Sequence, residues 1–408
     1  MLSDIPVVKQ FQNGTYRLIP PEETLARVSR FMPIMGITRI ANITQLDVIG
    51  IPVVMVCRPN SRSISVSQGK GLTLAAAKAS GLMESIETYH AETITLPLKL
   101  TSYEGLRYTH EVVDVYDLPF IKNSAFHPER RLLWIEGHDL IQQDSLWVPY
   151  EMVHTDYTLP GTDGSGCFST TTNGLASGNH VMEAVVHGIN EVIERDSLAL
   201  WELLPDEQKQ RTRLNLDTVD DPACRYVLNQ YALANVEVVV WNAISDVGLP
   251  AFLCAIAERT DHPLRRMVIA SGAGCHVSRH IALLRALTEA AQSRLTVISG
   301  SRDDIFHDDY QRYHSPQTYQ RFYESLTSPL PMQDFQTIPT WEHPTFNQDL
   351  AVQLKRLRSA GINRVIVVNL TKPELGIPVV RVVIPRLEGV HSIPQYQPGK
   401  RAQERMIQ

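Results

Sequence analysis

Cysteine is scarce in this 408-residue chain, and the five that occur, Cys57, Cys167, Cys224, Cys254 and Cys275, form no CxxC pair. An odd number without metal-ligand spacing argues against a disulfide framework and predicts reduced thiols in a cytoplasmic protein. Three of them sit among apolar or β-branched neighbours and read as core. An excess of positive charge is also missing. The net charge is −6 and basic residues are scattered, so neither nucleic acid nor an anionic membrane is an expected partner. Long apolar runs are absent as well: "GLPAFLCAIA" is closed by Glu258, far short of the roughly 20 residues that span a bilayer. At the N-terminus, Asp4 and Lys9 interrupt any would-be apolar region, and no signal-peptide architecture is present.

The familiar catalytic signatures are missing too. "SQGKGLT" contains a GKG but not the GxxxxGK[ST] spacing, and no GxGxxG opens a helix after a strand. This argues against a Walker NTPase or a dinucleotide enzyme. There is no HExxH and no GxSxG, and Cys167 in "GSGCFSTTTNG" has no histidine partner by motif, so zinc and nucleophilic hydrolysis are unsupported. The run "SRDDIFHDD" reads as a solvated loop.

What the chain does contain is a pattern repeated three times. In "SGLMESIETYHAE", Ser80, Glu84 and Glu87 fall within roughly 60° of one another on a helix. "GNHVMEAVVHGINEVIER" places His187, Glu191 and Glu194 at the same spacing, and "HVSRHIALLRALTEAAQSR" places Arg285, Glu289 and Gln292 there. Ala77, Ala184 and Ala282 align without a gap, and Gly71, Gly178 and His276 mark the three helix starts. Each copy follows a β-rich run with a proline, "GIPVVMVCRP", "LWVPYEMV" and "GLPAFLCAIA", read as strands starting near Pro52, Pro149 and Pro250. A further strand such as "SISVS" or "MVIAS" precedes the helix. "AGINRVIVVNLTKPELGIPVVRVVIP" resembles residues 35–59 and forms a fourth copy, with strands but no glutamate helix after them. The expected fold is therefore α+β, with sheets backing three helices that converge on one site. The copies span about 35–95, 132–200 and 235–300, with strands at 360–390, and no Gly/Ser linker divides the single domain over 1–408.

If the helices share one centre, Glu84, Glu87, Glu191, Glu194 and Glu289 come together, and Asn179 and Glu183 continue the middle stripe backwards. So many carboxylates cannot ionise side by side without cations. Hard oxygen ligands suit Mg²⁺, which binds through few carboxylates and completes its shell with water and phosphate. A nucleoside triphosphate held through metal follows as the expectation, with Lys70, Arg195 and Arg285 placed for phosphate oxygens.

At these residues the sequence resembles the YcaO family. "GKGLT…ASGLMESIETY", "NGLASGNHVMEAVVHGINEVIERDS" and "RALTEAAQSRLTVISGSRDD" look like its three ATP-binding segments, with "GIPVVRVVIPRLEG" as a C-terminal segment. The resemblance implies a repeat-built fold that binds ATP and Mg²⁺ and phosphorylates a peptide-bond oxygen. Attack by a neighbouring Cys, Ser or Thr then gives an azoline, and attack by sulfide gives a thioamide. Carried over, Lys70, Ser80, Asn179, Glu183, Arg195, Arg285 and Gln292 line the ATP site. Glu84, Glu87, Glu191, Glu194 and Glu289 hold metal, and no catalytic residue is named.

The ending "HSIPQYQPGKRAQERMIQ" departs from the proline-rich PxPxP tail of azoline-forming members, which puts azoline formation in question. No fused leader-binding region precedes the first repeat, so a second protein is expected to present the peptide or supply sulfur. A homodimer stays open. The alternative to an enzyme is an ATP-binding accessory protein that assists a separate modifying enzyme; both need the same cradle.

Overall fold

In the computed structural model, residues 5–258, 269–305, 307–308, 311 and 315–407 are described. The strands are β1 (Arg39–Asn42), β2 (Val53–Cys57), β3 (Val66–Lys70), β4 (Leu98–Ser102), β5 (Arg131–Asp139), β6 (Ser145–Pro149) and β7 (Leu175–Ser177). They continue with β8 (Leu214–Asn215), β9 (Val236–Asn242), β10 (Ala251–Glu258), β11 (Ala270–Cys275), β12 (Gln333–Asp334), β13 (Ile366–Asn369) and β14 (Val379–Val383). The helices are α1 (Pro21–Val28), α2 (Leu74–Glu92), α3 (Tyr103–Arg107), α4 (Val181–Glu202) and α5 (Asp206–Arg211). After them come α6 (Pro222–Leu233), α7 (Arg279–Ser299), α8 (Pro316–Thr327), α9 (Phe346–Ser359) and α10 (Lys400–Ile407).

The mixed α/β architecture is three units, each an antiparallel three-strand run backing one long helix. The first is β1-β2-β3 under α2, and the third is β9-β10-β11 under α7. The middle unit corrects the sequence reading. Helix α4 lies on β14 and β7, and the strand run is β13-β14-β7, so two of its three strands come from the far end of the chain. "LWVPYEMV" is not its opening strand: β6 ends at Pro149 and pairs with β5. The fourth copy, expected to lack a helix, has α4 as its helix.

The helix starts are those the sequence marked. Thr73 caps α2 by accepting from the Ala76 N–H, and His180 caps α4 through the Met182 N–H. Each helix begins three residues after Gly71, Gly178 and His276. "SISVS" enters β3 only at Val66, and Met267 and Val268 of "MVIAS" lie outside the described residues.

The aligned alanines mark the contact of strand with helix. A Cβ on Gly69 would stand 2.1 Å from the Ala77 carbonyl oxygen, and one on Gly274 would stand 2.1 Å from that of Ala282. Small residues thus let α2 and α7 lie directly on their last strands. Between these contacts, Leu82 and Ile86 pack toward Val56, Ile189 and Ile193 toward Val380 and Val382, and Leu283 and Leu287 toward Phe252. Fully burying each such side chain contributes about 1.5–3 kcal/mol.

The units also close a ring. Helix α2 packs on β7 of the middle unit, α4 on β11 of the third, and α7 on β3 of the first. All five cysteines are unpaired, and four are buried, one more than the sequence reading placed in the core. Among the described residues no helix is long and apolar enough to cross a membrane.

Candidate nucleotide and metal site

On α4, residues 182–201 are buried except His187, Glu191 and Arg195. Within that stretch the helix therefore reaches water along one stripe only, which shares His187 and Glu191 with the repeated pattern, while the pattern's Glu194 is buried. On α2, Glu84 and Glu87 are half-buried and Ser80 is exposed; on α7, Arg285, Glu289 and Gln292 are half-buried. The three stripes line a recess at the ring's centre.

Ring closure is written in hydrogen bonds. Glu87 Oε1 accepts from the Ser177 N–H at 2.8 Å and the Ser177 hydroxyl at 2.6 Å. Its equivalent, Glu194, accepts from the Cys275 N–H at 2.9 Å. Ser177 and Cys275 are the last residues of β7 and β11, so each second glutamate caps the next unit's strand. The third such position is Gln292, and the third strand end is Lys70. There the chemistry differs: Lys70 Nζ donates to Glu289 Oε2 at 2.5 Å, while Glu289 Oε1 accepts from the Ala273 N–H at 3.2 Å.

The carboxylates consequently titrate apart. Burial pushes Glu84 up to about 7 and Glu87 up to about 8, with Glu191 adding repulsion to both. Glu191 and Glu194 are also raised by burial, against the pull of Arg195. Glu289 is held down at about 2, because Lys70, Arg195 and Arg285 outweigh its burial. His187 is pushed well below its ordinary value by burial and by Arg285, so it stands there neutral.

Asn179 and Glu183 sit at the rim. Glu183 accepts from the Leu18 N–H at 3.2 Å and lies 3.6 Å from Arg17 Nε, while Asn179 Nδ2 donates to Thr24 at 3.0 Å. Their polar atoms are engaged by the N-terminal segment, which Lys9 ties down through a fully buried pair with Asp349 at 2.6 Å. That segment brings Arg17 into the field of Arg285 and Glu87. Arg302 acts likewise on Glu84, so "SRDD" is not merely a solvated loop. Arg381 acts on Glu191 from β14. None of these three arginines lies on the repeated helix pattern. The one available signal was Arg381 standing in "GIPVVRVV" where the first copy reads "GIPVVMVC".

The donor set fits MgATP on charge. Glu84 and Glu87 are short of cations, whereas Glu289 already has one, so the α2 side would take the metal and the α7 side the phosphates. Among the described residues no group of three or more His, Cys, Asp or Glu is already spaced as a metal cage. Mg²⁺ does not require one, since water and phosphate oxygens complete its shell.

Fold and recess together define a pseudo-threefold α/β protein with one carboxylate-rich, cation-flanked site. A family model described as YcaO cyclodehydratase, ATP- and Mg²⁺-binding, matches residues 68–388. The chain belongs to that family, and ATP and Mg²⁺ are its cofactors. It is 35% identical over 395 residues to an uncharacterised protein from the tfuA 3′ region of Rhizobium leguminosarum bv. trifolii, covering 95% of this chain and 92% of the relative. It is 33% identical over 394 residues to one from Methanothermobacter thermautotrophicus, covering 94% and 97%. Among solved structures, a heterocyclase in complex with substrate and cofactor superposes with a TM-score of 0.80 at 22% identity, over 98% of this chain and 56% of that one. YcaO from Methanopyrus kandleri bound with AMPPCP and Mg²⁺ superposes at 0.74 and 22% identity, over 97% and 99%.

Proposed function

We propose that the protein uses MgATP to phosphorylate a backbone amide oxygen in a ribosomally made peptide or protein, leading to an azoline or a thioamide. The observation that carries this reading is the split recess. Glu84 and Glu87 are pushed up to about 7 and 8, whereas Lys70, Arg195 and Arg285 hold Glu289 down at about 2, and Glu191 lies between, raised by burial against the pull of Arg195. Bound Mg²⁺ would neutralise charge between the phosphates and the first two. The chain's own side chains do the positioning: Arg285 and Arg195 orient phosphate oxygens, and Lys70 is free to exchange Glu289 for one. Phosphoryl transfer needs little beyond such placement and electrostatics. The proposed site residues are those named from the sequence, Ser80, Asn179, Glu183 and Gln292 for nucleotide and the five glutamates for metal, with Glu289 holding Lys70 on the phosphate side until nucleotide binds, and with Arg17 and Arg302 added. The single domain over 1–408 is part of the same proposal.

A second protein presenting the peptide or supplying sulfur remains part of the reading. The R. leguminosarum relative is encoded 3′ of tfuA. The product of a neighbouring gene is therefore the first partner to try.

Incubating the protein with MgATP, that partner and a candidate Cys/Ser/Thr-rich peptide tests the proposal. Phosphate release with loss of one water from the peptide means azoline, and exchange of oxygen for sulfur means thioamide. ATP binding with neither change overturns catalysis by this chain in favour of the accessory role.

A further inference from the structure

The three units differ at one equivalent place on their middle strands. Register sets Met55 of β2 opposite Gln68, Leu253 of β10 opposite Ala273, and Arg381 of β14 opposite Leu175. These are equivalent positions, each facing the residue two before the end of its unit's last strand. Two are apolar and the third is a guanidinium only 1% exposed.

Arg381 has no ion pair to steady it among the described residues. Nε donates to the Met152 carbonyl at 2.9 Å and Nη2 to that of Thr171. Nη1 is buried with no partner, and so is Asn173 Oδ1. A buried cation held only by carbonyls is costly, and Glu191, which acts on it, is already claimed by Arg195. Such an arrangement is expected where a charge arrives or develops during function.

Arg381, Ser169, Thr171, Asn173 and Val192 share the lining of a cavity of about 30 Å³. That is room for one or two waters, hence for a single oxygen and not for a nucleotide. Arg381 in its wall and Glu191 in the recess act on each other electrostatically, which sets the cavity beside the recess. The loop over it exposes Thr170 and Thr172 to solvent, which leaves a peptide a route in.

We propose that Arg381 is a catalytic residue on the substrate side of the site: its free Nη1–H receives the carbonyl oxygen of the peptide bond to be activated. The assignment rests on the amide-phosphorylating reading above. In the azoline route, a Cys, Ser or Thr side chain adds to the carbonyl carbon. A new S–C or O–C bond forms, the π pair moves to oxygen, and the side-chain proton leaves to solvent. That oxygen attacks the terminal phosphorus of ATP, and the P–O bond to ADP breaks with its pair on ADP. Phosphate then departs with the C–O pair as the amide N–H proton is lost and C=N forms. Arg381 keeps its protons throughout. Its donor is aimed in advance at the atom that becomes negative, inside a hole too small for bulk water. Its counterparts in the other two units, Met55 and Leu253, carry no donor at all.

The test is calorimetry on the full chain with two probes, MgAMPPCP alone and inorganic phosphate added to the MgADP complex. Arg381→Gln and Arg381→Lys should bind MgAMPPCP within about twofold of the wild type. Both should bind phosphate at least about tenfold more weakly, because lysine keeps the charge but loses the planar fork. Asn173→Asp, on the loop, should weaken phosphate in the same direction and guards against loss of the fold in the arginine variants. Phosphate binding that is absent from the wild type, or equal in wild type and variants, overturns the proposal and leaves a structural water site. Equal losses for both probes also overturn it, placing Arg381 in the nucleotide cradle. If the wild type binds no MgAMPPCP, the ATP reading itself fails, an outcome distinct from any loss confined to phosphate.

Discussion

The α2 and α7 sides of the recess carry the same repeated carboxylates and hold them in opposite states. Glu84 and Glu87 are pushed up to about 7 and 8, whereas Glu289 is held at about 2. All three are similarly crowded. The difference is in the cations: Glu289 has Lys70 at 2.5 Å with Arg195 and Arg285 behind it, whereas on the α2 side the pull of Arg302 and Lys70 on Glu84 does not outweigh burial. A repeat therefore diverges by where positive charge is left out as much as by which residues are put in. The shortfall of positive charge beside α2 is what a metal ion matches.

The largest effect expected from breaking this contrast is at the shared carboxylate. Glu191→Gln or Glu84→Gln should leave the fold intact and weaken Mg²⁺-dependent nucleotide binding by roughly a hundredfold or more. The rise in melting temperature on adding MgATP, present in the wild type, should vanish in both. Glu289→Gln should cost clearly less, since it removes a carboxylate that already has its cation. Equal losses at Glu84 and Glu289 would erase the distinction between the two sides.

Next in size is Arg285→Lys. Its loss of the planar fork should lower ATP affinity about tenfold at fixed Mg²⁺. Arg401 does not serve as the surface control that its place in a charged tail suggests. It is nearly buried, and its Nη2 bonds to Asp196 at 2.9 Å and Asp246 at 2.5 Å. Arg107, half-exposed on α3, is the suitable comparison. Calorimetry giving negligible, equal losses at Arg285 and Arg107 would detach the third helix from the nucleotide.

The pH dependence sharpens the contrast. Glu84 and Glu87 keep protons in the folded apo chain that the unfolded chain releases near 4.5. The folded state thus binds more protons, so this contribution to stability falls as pH rises from there through 7 and 8. Glu289 has the reverse sign: its contribution is present above 4.5 and is lost as pH falls toward 2. Mg²⁺ must displace the protons on the α2 side. MgATP binding should therefore tighten as pH rises through 7 to 8 and release protons, as measured by calorimetry in buffers of different protonation enthalpy. No proton release at neutral pH would show that those carboxylates are not the metal's. The smallest effect is expected at Ser80→Ala, where an exposed hydroxyl can give up one neutral hydrogen bond of about 1 kcal/mol. Titration of ATP affinity measures it.

The helices and their stripes were legible because they rest on local periodicity and on the starts marked by Gly71, Gly178 and His276. The middle sheet was not, because strand pairing is decided far along the chain and leaves no local trace. One oddity pointed to it, a C-terminal copy with strands but no helix; Pro149, read as a strand start, ends its strand instead. Arg17 and Arg302 were hidden for a different reason. Each is a single residue in an irregular segment, and only the three-dimensional closure of the ring gives it a neighbour.

The borrowing of β13 and β14 by the middle unit has a consequence for how the protein comes into being. During synthesis the first unit can assemble once α2 has emerged, but α4 has no sheet to lie on until residues 366–383 leave the ribosome. Its apolar face, with Val185, Ile189 and Ile193, must wait uncovered while nearly half the chain is made. Contacts of such long sequence separation fold slowly. The recess is thus withheld from the nascent chain: no truncated product ending before β14 can present Glu191 and Glu194 in place, and competence for nucleotide arrives late and all at once.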